Sequence, residues 1–272
     1  MSSEMAALPD LTSDYEVDDA DVEAFQRDGH VCLRGVARGD EASAYEEPIR
    51  RATLHAADRP PLEERDTYGK AFIQTTNLWR RDETTARFTL SPRFGRIAAR
   101  LLGVPAVRVY HDQALFKEAG GGPTPWHQDQ FYWPLDTDKT ITMWMPLVDV
   151  TPDMGPLTFA SGTQRMGFLG SFAISDESDR VFSDLVEERG LSLVNYQRLA
   201  AGDASFHAGW TLHSAPGNDS DRLRSVMTVI YYADGARLIE PDNANRAADL
   251  AAWFPGGAPG DLAASPLTPV VG

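Results

Sequence analysis

Cysteine is almost missing from this chain: Cys32 is the one thiol in 272 residues. No internal disulfide can form, which fits a reducing compartment. Cys32 itself reads as a small buried apolar residue. Long apolar runs are missing too. None approaches the roughly 18–20 residues of a membrane span. The opening Met1-Ser2-Ser3-Glu4-Met5-Ala6-Ala7 has no basic stretch ahead of an apolar core, so it does not read as a signal peptide. Cytoplasmic localisation is the expectation. Positive charge is scarce, with 25 Lys and Arg against 40 Asp and Glu and a formal net charge of −15. That balance argues against nucleic acid or an anionic membrane surface as partner. It leaves room for one cationic pocket and a small-molecule substrate. There is no internal repeat and no long low-complexity segment. Oligomeric state is not readable.

What is present supports a sizeable core. Hydrophobic residues make up 42% of the chain and aromatics 10%. The length suggests one domain, or one domain with a lid. Residues 1–17 are acidic and aperiodic, and read as a flexible N-terminal arm. A single domain is expected over 18–272, with a lid or insert around 161–201. A short helix is expected from Asp18 or Asp19 through Phe25 and Arg27, and a strand over His30–Arg34. Residues 41–56 read as a helix. The clearest helix runs from Ser91 to Leu102. Pro92 sits at its first position, Phe94, Ile97, Ala98 and Leu101 form one stripe, and Gly103 stops it. After Gly103 the signal turns to strands. Val104–Lys117, Lys139–Val150, Pro156–Ala160, Ala204–His207 and Arg224–Ala233 are rich in β-branched and aromatic residues, with turns between them. Helices are expected near Asp176–Arg189 and Asn243–Trp253. The pattern predicts a mainly β fold with surrounding helices, an antiparallel sandwich or jelly roll.

One stretch carries chemistry: Trp126-His127-Gln128-Asp129. In a strand, residues two apart face the same side, about 6–7 Å apart. His127 and Asp129 can then reach one ion, with Gln128 facing away. A distant histidine would complete a facial triad of two imidazoles and a carboxylate, which leaves the opposite metal positions open. His207 and His213 compete for that place. The sequence leans to His213 because Arg224 follows eleven residues later. An arginine directed into a barrel needs an anion, and a carboxylate best fits its planar fork. Two rival readings use the same residues: a zinc or manganese hydrolase, which needs a general base but not Arg224, and a non-catalytic ligand-binding barrel.

The chain resembles the phytanoyl-CoA dioxygenase family of Fe(II)/2-oxoglutarate oxygenases over roughly residues 20–235. Phe25-Gln26-Arg27-Asp28-Gly29-His30-Val31 is similar to the family's opening helix-to-strand turn. Trp126-His127-Gln128-Asp129 matches its metal strand, and His213-Ser214 with Arg224 its last ligand and co-substrate arginine. Gly155-Pro156-Leu157 and Ala160-Ser161-Gly162-Thr163-Gln164 resemble a further family segment, with Ala160 in place of proline and Thr163-Gln164 in place of Ser-His. Ala215 stands where relatives often carry serine. The resemblance implies a double-stranded β-helix, the cupin-like jelly roll. It implies Fe(II) on His127, Asp129 and His213, 2-oxoglutarate on Arg224 with Gln113 and Trp144 in the same pocket, and O2 as oxidant. Residues 112–164 look most like natural-product tailoring members, so antibiotic biosynthesis is the expected setting. A bulky polyketide, terpenoid or glycosylated substrate would be hydroxylated, epimerised, cyclised or desaturated. The residues expected to touch it are Gln130, Phe131, Tyr132 and Trp133 after the metal strand, and Tyr68, Phe72 and Asn77 from the N-terminal region.

Overall fold

The computed structural model describes residues 8–56 and 60–272. Helices dominate the first part: α1 (Asp19–Asp28), α2 (Gly39–Ala56), α3 (Thr67–Ala71), α4 (Glu83–Thr89) and α5 (Pro92–Leu102). Two short strands, β1 (His30–Leu33) and β2 (Ile73–Thr76), lie among them. Strands β3 (Val107–Phe116), β4 (Thr124–His127), β5 (Thr140–Pro146) and β6 (Thr158–Ala160) follow. The rest is α6 (Asp176–Glu188), β7 (Leu193–Asn195), β8 (Ala204–Ala208), β9 (His213–Ala215), β10 (Val226–Ala233), α7 (Ala244–Trp253) and β11 (Val270–Val271).

The strands form two antiparallel sheets. The larger runs β1-β8-β5-β10-β3-β11, with β2 also on β3; the smaller runs β4-β9-β6-β7. Strand alternation gives the larger sheet two different faces. Ile141, Met143 and Met145 of β5, Phe206 of β8, and Met227, Val229 and Tyr231 of β10 join one core with α1, α2, α4 and α5. In that layer α5 buries Phe94, Ile97, Ala98 and Leu101, the stripe read from the sequence. Each large side chain buried there contributes about 1.5–3 kcal/mol. Thr142 and Trp144 of β5, His207 of β8 and Thr228 of β10 face the other way, into a cavity.

On β3 the alternation is broken once. Ile230 pairs with His111 but Tyr231 pairs with Val109, so Tyr110 is an extra residue in the strand. This β-bulge switches the parity of the strand. Val107 and Val109 face the helices before it, and Ala114 and Phe116 after it. His111, Gln113 and Leu115 are thereby turned into the cavity.

Two expectations are corrected here. The flexible arm is docked from Leu8 onward, while residues 1–7 lie outside the described residues. Leu11 is buried in the helical core. Carbonyls of the arm accept from buried donors: Tyr45 Oη to Pro9 at 2.9 Å, Ser91 Oγ to Leu11 at 2.7 Å and Arg93 Nε to Ser13 at 3.0 Å. An acidic, aperiodic stretch is held by its backbone, which no hydropathy pattern reveals. The metal strand also ends earlier than expected. β4 stops at His127, and Asp129–Tyr132 forms a 3-10 helix. No helix among the described residues is long and apolar enough to cross a membrane.

Candidate metal centre

His127 and His213 stand directly opposite each other in the β4–β9 ladder, with ring centroids 4.1 Å apart. Each imidazole is oriented through its other nitrogen. Nδ1 of His127 lies 2.7 Å from the Pro125 carbonyl, and Nδ1 of His213 lies 2.9 Å from that of Thr211. Those contacts make Nδ1 the protonated nitrogen, so both Nε2 atoms carry a lone pair. Both Nε2 atoms face Oδ1 of Asp129, at 3.5 Å from His127 and 3.8 Å from His213. Gln128 between the two residues is extended, at φ −120° and ψ 123°, so His127 and Asp129 share a side although only His127 is on a strand. Gln128 faces away, as expected, and its amide donates to the Gly167 and Trp210 carbonyls. One ligand atom from each of His127, Asp129 and His213 lies within 4.8 Å of the others, a group able to hold a metal ion.

His207 occupies a different place. Its Nε2 lies 3.1 Å from Oδ2 of Asp129, the oxygen that faces away from the other two imidazoles. Thr142 Oγ1 donates to the same oxygen at 2.9 Å. Thr142 and His207 are register partners on β5 and β8, so one cross-strand pair clamps the carboxylate. Burial alone would raise the Asp129 pKa. The surrounding imidazoles, His213 first, hold it well below the usual carboxylate range instead. Burial, and then His127 and His207, push His213 well below the usual imidazole range. The group therefore turns two Nε2 lone pairs and one anionic oxygen toward the same point.

Arg224 is 1% exposed and is bridged to Lys117 beside β10. Its guanidinium lies 5.3 Å from the Trp144 ring and donates to the Gly155 carbonyl. No carboxylate pairs with it among the described residues, and its Nε has no hydrogen-bond partner. Burial pulls its pKa down to about 9. Such a cation is costly unless an anion joins it.

Arg224 and the triad line one cavity of about 480 Å³. Gln113, Trp144, Tyr68, Phe72 and Tyr132 line it too. Three expected substrate contacts do not. Gln130 is 1% exposed and its amide donates to the Thr137 carbonyl and accepts from Thr140. Phe131, within the 3-10 turn, is buried and does not line the cavity. Asn77 takes a left-handed conformation, φ 52°, where its Oδ1 accepts from the Trp79 indole. Strand alternation does not apply to a 3-10 turn, so Tyr132 and Trp133 reach the cavity as neighbours. Sequence reasoning passed over His111, Asp249 and Trp253, which line the same space. The bulge at Tyr110 and the docking of α7 bring them in. A lone His or Asp in a helix or strand gives no signal for either.

The family model for phytanoyl-CoA dioxygenase matches residues 25–226. The chain belongs to the phytanoyl-CoA dioxygenase family. No curated protein matches its sequence significantly. Solved structures do resemble it. One is the non-heme α-ketoglutarate-dependent carbocyclase SnoK from nogalamycin biosynthesis, with a TM-score of 0.76 and 22% identity over 94% of this chain and 97% of that one. Another is the epimerase SnoN in complex with Fe3+, α-ketoglutarate and nogalamycin RO, at 0.74 and 26% over 93% and 97%. A third is EctD from S. alaskensis with 2-oxoglutarate and 5-hydroxyectoine, at 0.69 and 19% over 88% and 86%.

The phytanoyl-CoA dioxygenase family is one of non-haem iron, 2-oxoglutarate-dependent enzymes, and the chain is an oxidoreductase of that kind. Its two sheets with surrounding helices are the family's jelly roll. The residues present fit the family's cofactors. Two lone-pair nitrogens and an anionic oxygen suit a divalent iron ion, and the unpaired Arg224 suits a dicarboxylate. Ala215, at the position where the sequence resemblance leads one to expect a serine, lines the same cavity as Arg224.

Proposed function

We propose that this chain is an Fe(II)/2-oxoglutarate-dependent oxygenase that activates a C–H bond in the tailoring of a microbial natural product, such as a polyketide antibiotic. The observation that carries the reading is the joint presence, in one cavity, of a three-residue metal face and a buried arginine without an anion. A hydrolase has no use for that arginine, and a passive binding barrel has no use for all four groups. Carbocyclase and epimerase relatives in antibiotic biosynthesis support the setting.

His127, Asp129 and His213 would hold the iron, with Nε2, Oδ1 and Nε2 as donors. Bound iron, 2-oxoglutarate and O2 together supply the oxidant for C–H cleavage, with succinate and CO2 as coproducts. Arg224 would bind the distal carboxylate of 2-oxoglutarate. Trp144 keeps water from that ion pair, and Gln113 offers its amide to the same ligand. Tyr68, Phe72 and Tyr132 would hold the substrate. Residues 161–201 serve as cover: Ile174 lines the cavity, and its N–H donates to Tyr132 Oη at 2.9 Å. The protein's contribution is to position a C–H bond and exclude water.

The test is succinate formation from 2-oxoglutarate with Fe(II), ascorbate and O2. Arg224→Ala should raise the KM for 2-oxoglutarate by at least tenfold. Zinc-dependent hydrolysis without succinate would sink the reading. Product mass then separates outcomes: +16 for hydroxylation, −2 for cyclisation or desaturation, 0 for epimerisation.

A further inference from the structure

The cavity has a second polar group that oxidant formation does not use. Asp249 on α7 lines it. Its Oδ2 accepts a 2.7 Å hydrogen bond from Tyr110 Oη. Tyr110 is fully buried, so its hydroxyl needs an acceptor. Any carbonyl would serve; a carboxylate adds a charge that this bond does not require. No cation neutralises that charge among the described residues. Arg246, the cation of α7, pairs with Asp242 at 3.0 Å and donates to the Gln130 carbonyl. The Trp253 indole N–H lies near Asp249 but reaches no hydrogen-bond geometry.

The remaining charged and titratable groups of the cavity do not balance it either. Arg224 lies against the Trp144 ring and donates to the Gly155 carbonyl, and the imidazoles of His127, His207 and His213 face Asp129. Asp66 caps α3 through the Gly69 N–H at 2.7 Å, and it adds negative charge. His111, 5.1 Å from the Trp253 ring, is kept neutral by burial, which lowers its pKa to about 4. The walls beside Asp249 are aromatic: Trp253, Tyr132 and His111 line the same space. An unpaired carboxylate among aromatic faces is the chemistry that binds an organic ammonium group.

We propose that Asp249, with Trp253 and Tyr132, forms an ammonium subsite, and that the molecule oxidised here carries a basic amine. The second half rests on the oxygenase reading; the subsite does not. Burial raises the Asp249 pKa to about 6, so at neutral pH the carboxylate is ionised and gains a counter-ion when the amine binds. Asp129, Tyr132 and Asp249 line the same cavity. An amine held at α7 therefore anchors one end of a molecule whose other end meets the metal face.

The test uses benzyltrimethylammonium and uncharged benzyl alcohol as probes, titrated into protein loaded with Mn(II) and 2-oxoglutarate. Wild type should bind the ammonium, and Asp249→Asn should weaken it by tenfold or more while leaving benzyl alcohol unchanged. Asn keeps an oxygen for Tyr110; thermal melting and Mn(II) affinity check that the variant is folded. If it is not, Trp253→Leu replaces it, with the same expected loss for the ammonium alone. No binding of the ammonium by wild type, or equal binding by wild type and variant, overturns the proposal. Mn(II) and 2-oxoglutarate binding are read in the same titrations. Failure there, with ammonium discrimination intact, overturns the oxygenase reading and leaves the subsite standing.

Discussion

Asp129 keeps its charge because two neighbours hold the oxygen that the metal face does not use. His207 Nε2 at 3.1 Å and Thr142 Oγ1 at 2.9 Å both meet Oδ2, leaving Oδ1 for His127 and His213. Partners of a metal ligand typically contribute 10–100-fold in metal affinity. His207→Ala should therefore weaken Mn(II) binding by about that factor, measured calorimetrically with 2-oxoglutarate present, and His207→Gln should recover part of it. His213→Ala should abolish binding. If His207→Ala abolished it as well, His207 would be a ligand and the assignment of roles would be wrong. The sequence pointed to this neighbourhood but could not rank the two histidines on geometry. His207 and His213 fall on successive strands, β8 of the larger sheet and β9 of the smaller, and what separates them is which carboxylate oxygen each one meets. Arg224 was readable because a positive charge opening an apolar strand needs an explanation. Gln130 and Asn77 were misjudged because polar side chains near a site are as often spent on holding a turn, here the Thr137–Thr140 and Trp79 contacts.

At the scale of elements, α5 shows how well a long periodic segment can be read. Proline at its first position, four buried stripe residues and a left-handed Gly103 at φ 68° bound it to within a residue of expectation. The strands that depend on distant partners were harder. β2 is four residues of Ile-Gln-Thr-Thr, β9 is three residues and β11 is two, too short for any periodicity to register. β11 matters all the same, because it pairs with β3 and lies against α5. Gly95 is the point of closest approach: a Cβ there would stand 2.7 Å from the Val271 carbonyl oxygen. An alanine normally favours a helix over glycine by about 1 kcal/mol. Overpacking against backbone costs about 1–3 kcal/mol, and here the backbone cannot rotate away as a side chain would. Gly95→Ala should lower the melting temperature. It should leave Mn(II) affinity unchanged, because α5 packs on the face of the larger sheet opposite the cavity. A raised melting temperature would mean that β11 yields freely and does not fasten the chain end.

At the scale of the whole molecule, the buried titrating groups oppose one another between pH 6.5 and 4. Burial lowers His30 and His111 from 6.5 to about 4. In that window the unfolded chain takes up their protons first, so acidification removes stability. Burial raises Asp112 and Asp249 from 3.8 to about 6, so there the folded chain binds protons first and acidification restores stability. The two pairs nearly offset. His213, held well below 6.5, tips the balance toward loss in acid. Removing one member should expose the compensation. His30 is the suitable one, since it contacts Tyr196 Oη at 2.7 Å and Ser161 Oγ at 2.9 Å, which glutamine can also engage. At pH 7.5 His30→Gln should melt below wild type, because the stacking on Phe159 at 4.7 Å is lost. At pH 5 the gap should narrow, because wild type now bears the cost of a buried imidazole that resists its proton and the variant does not. Melting curves of the metal-free protein at both pH values decide it. A gap of equal size at both would mean that His30 titrates alike in the folded and unfolded chain, and that burial at β1 does not set its proton affinity.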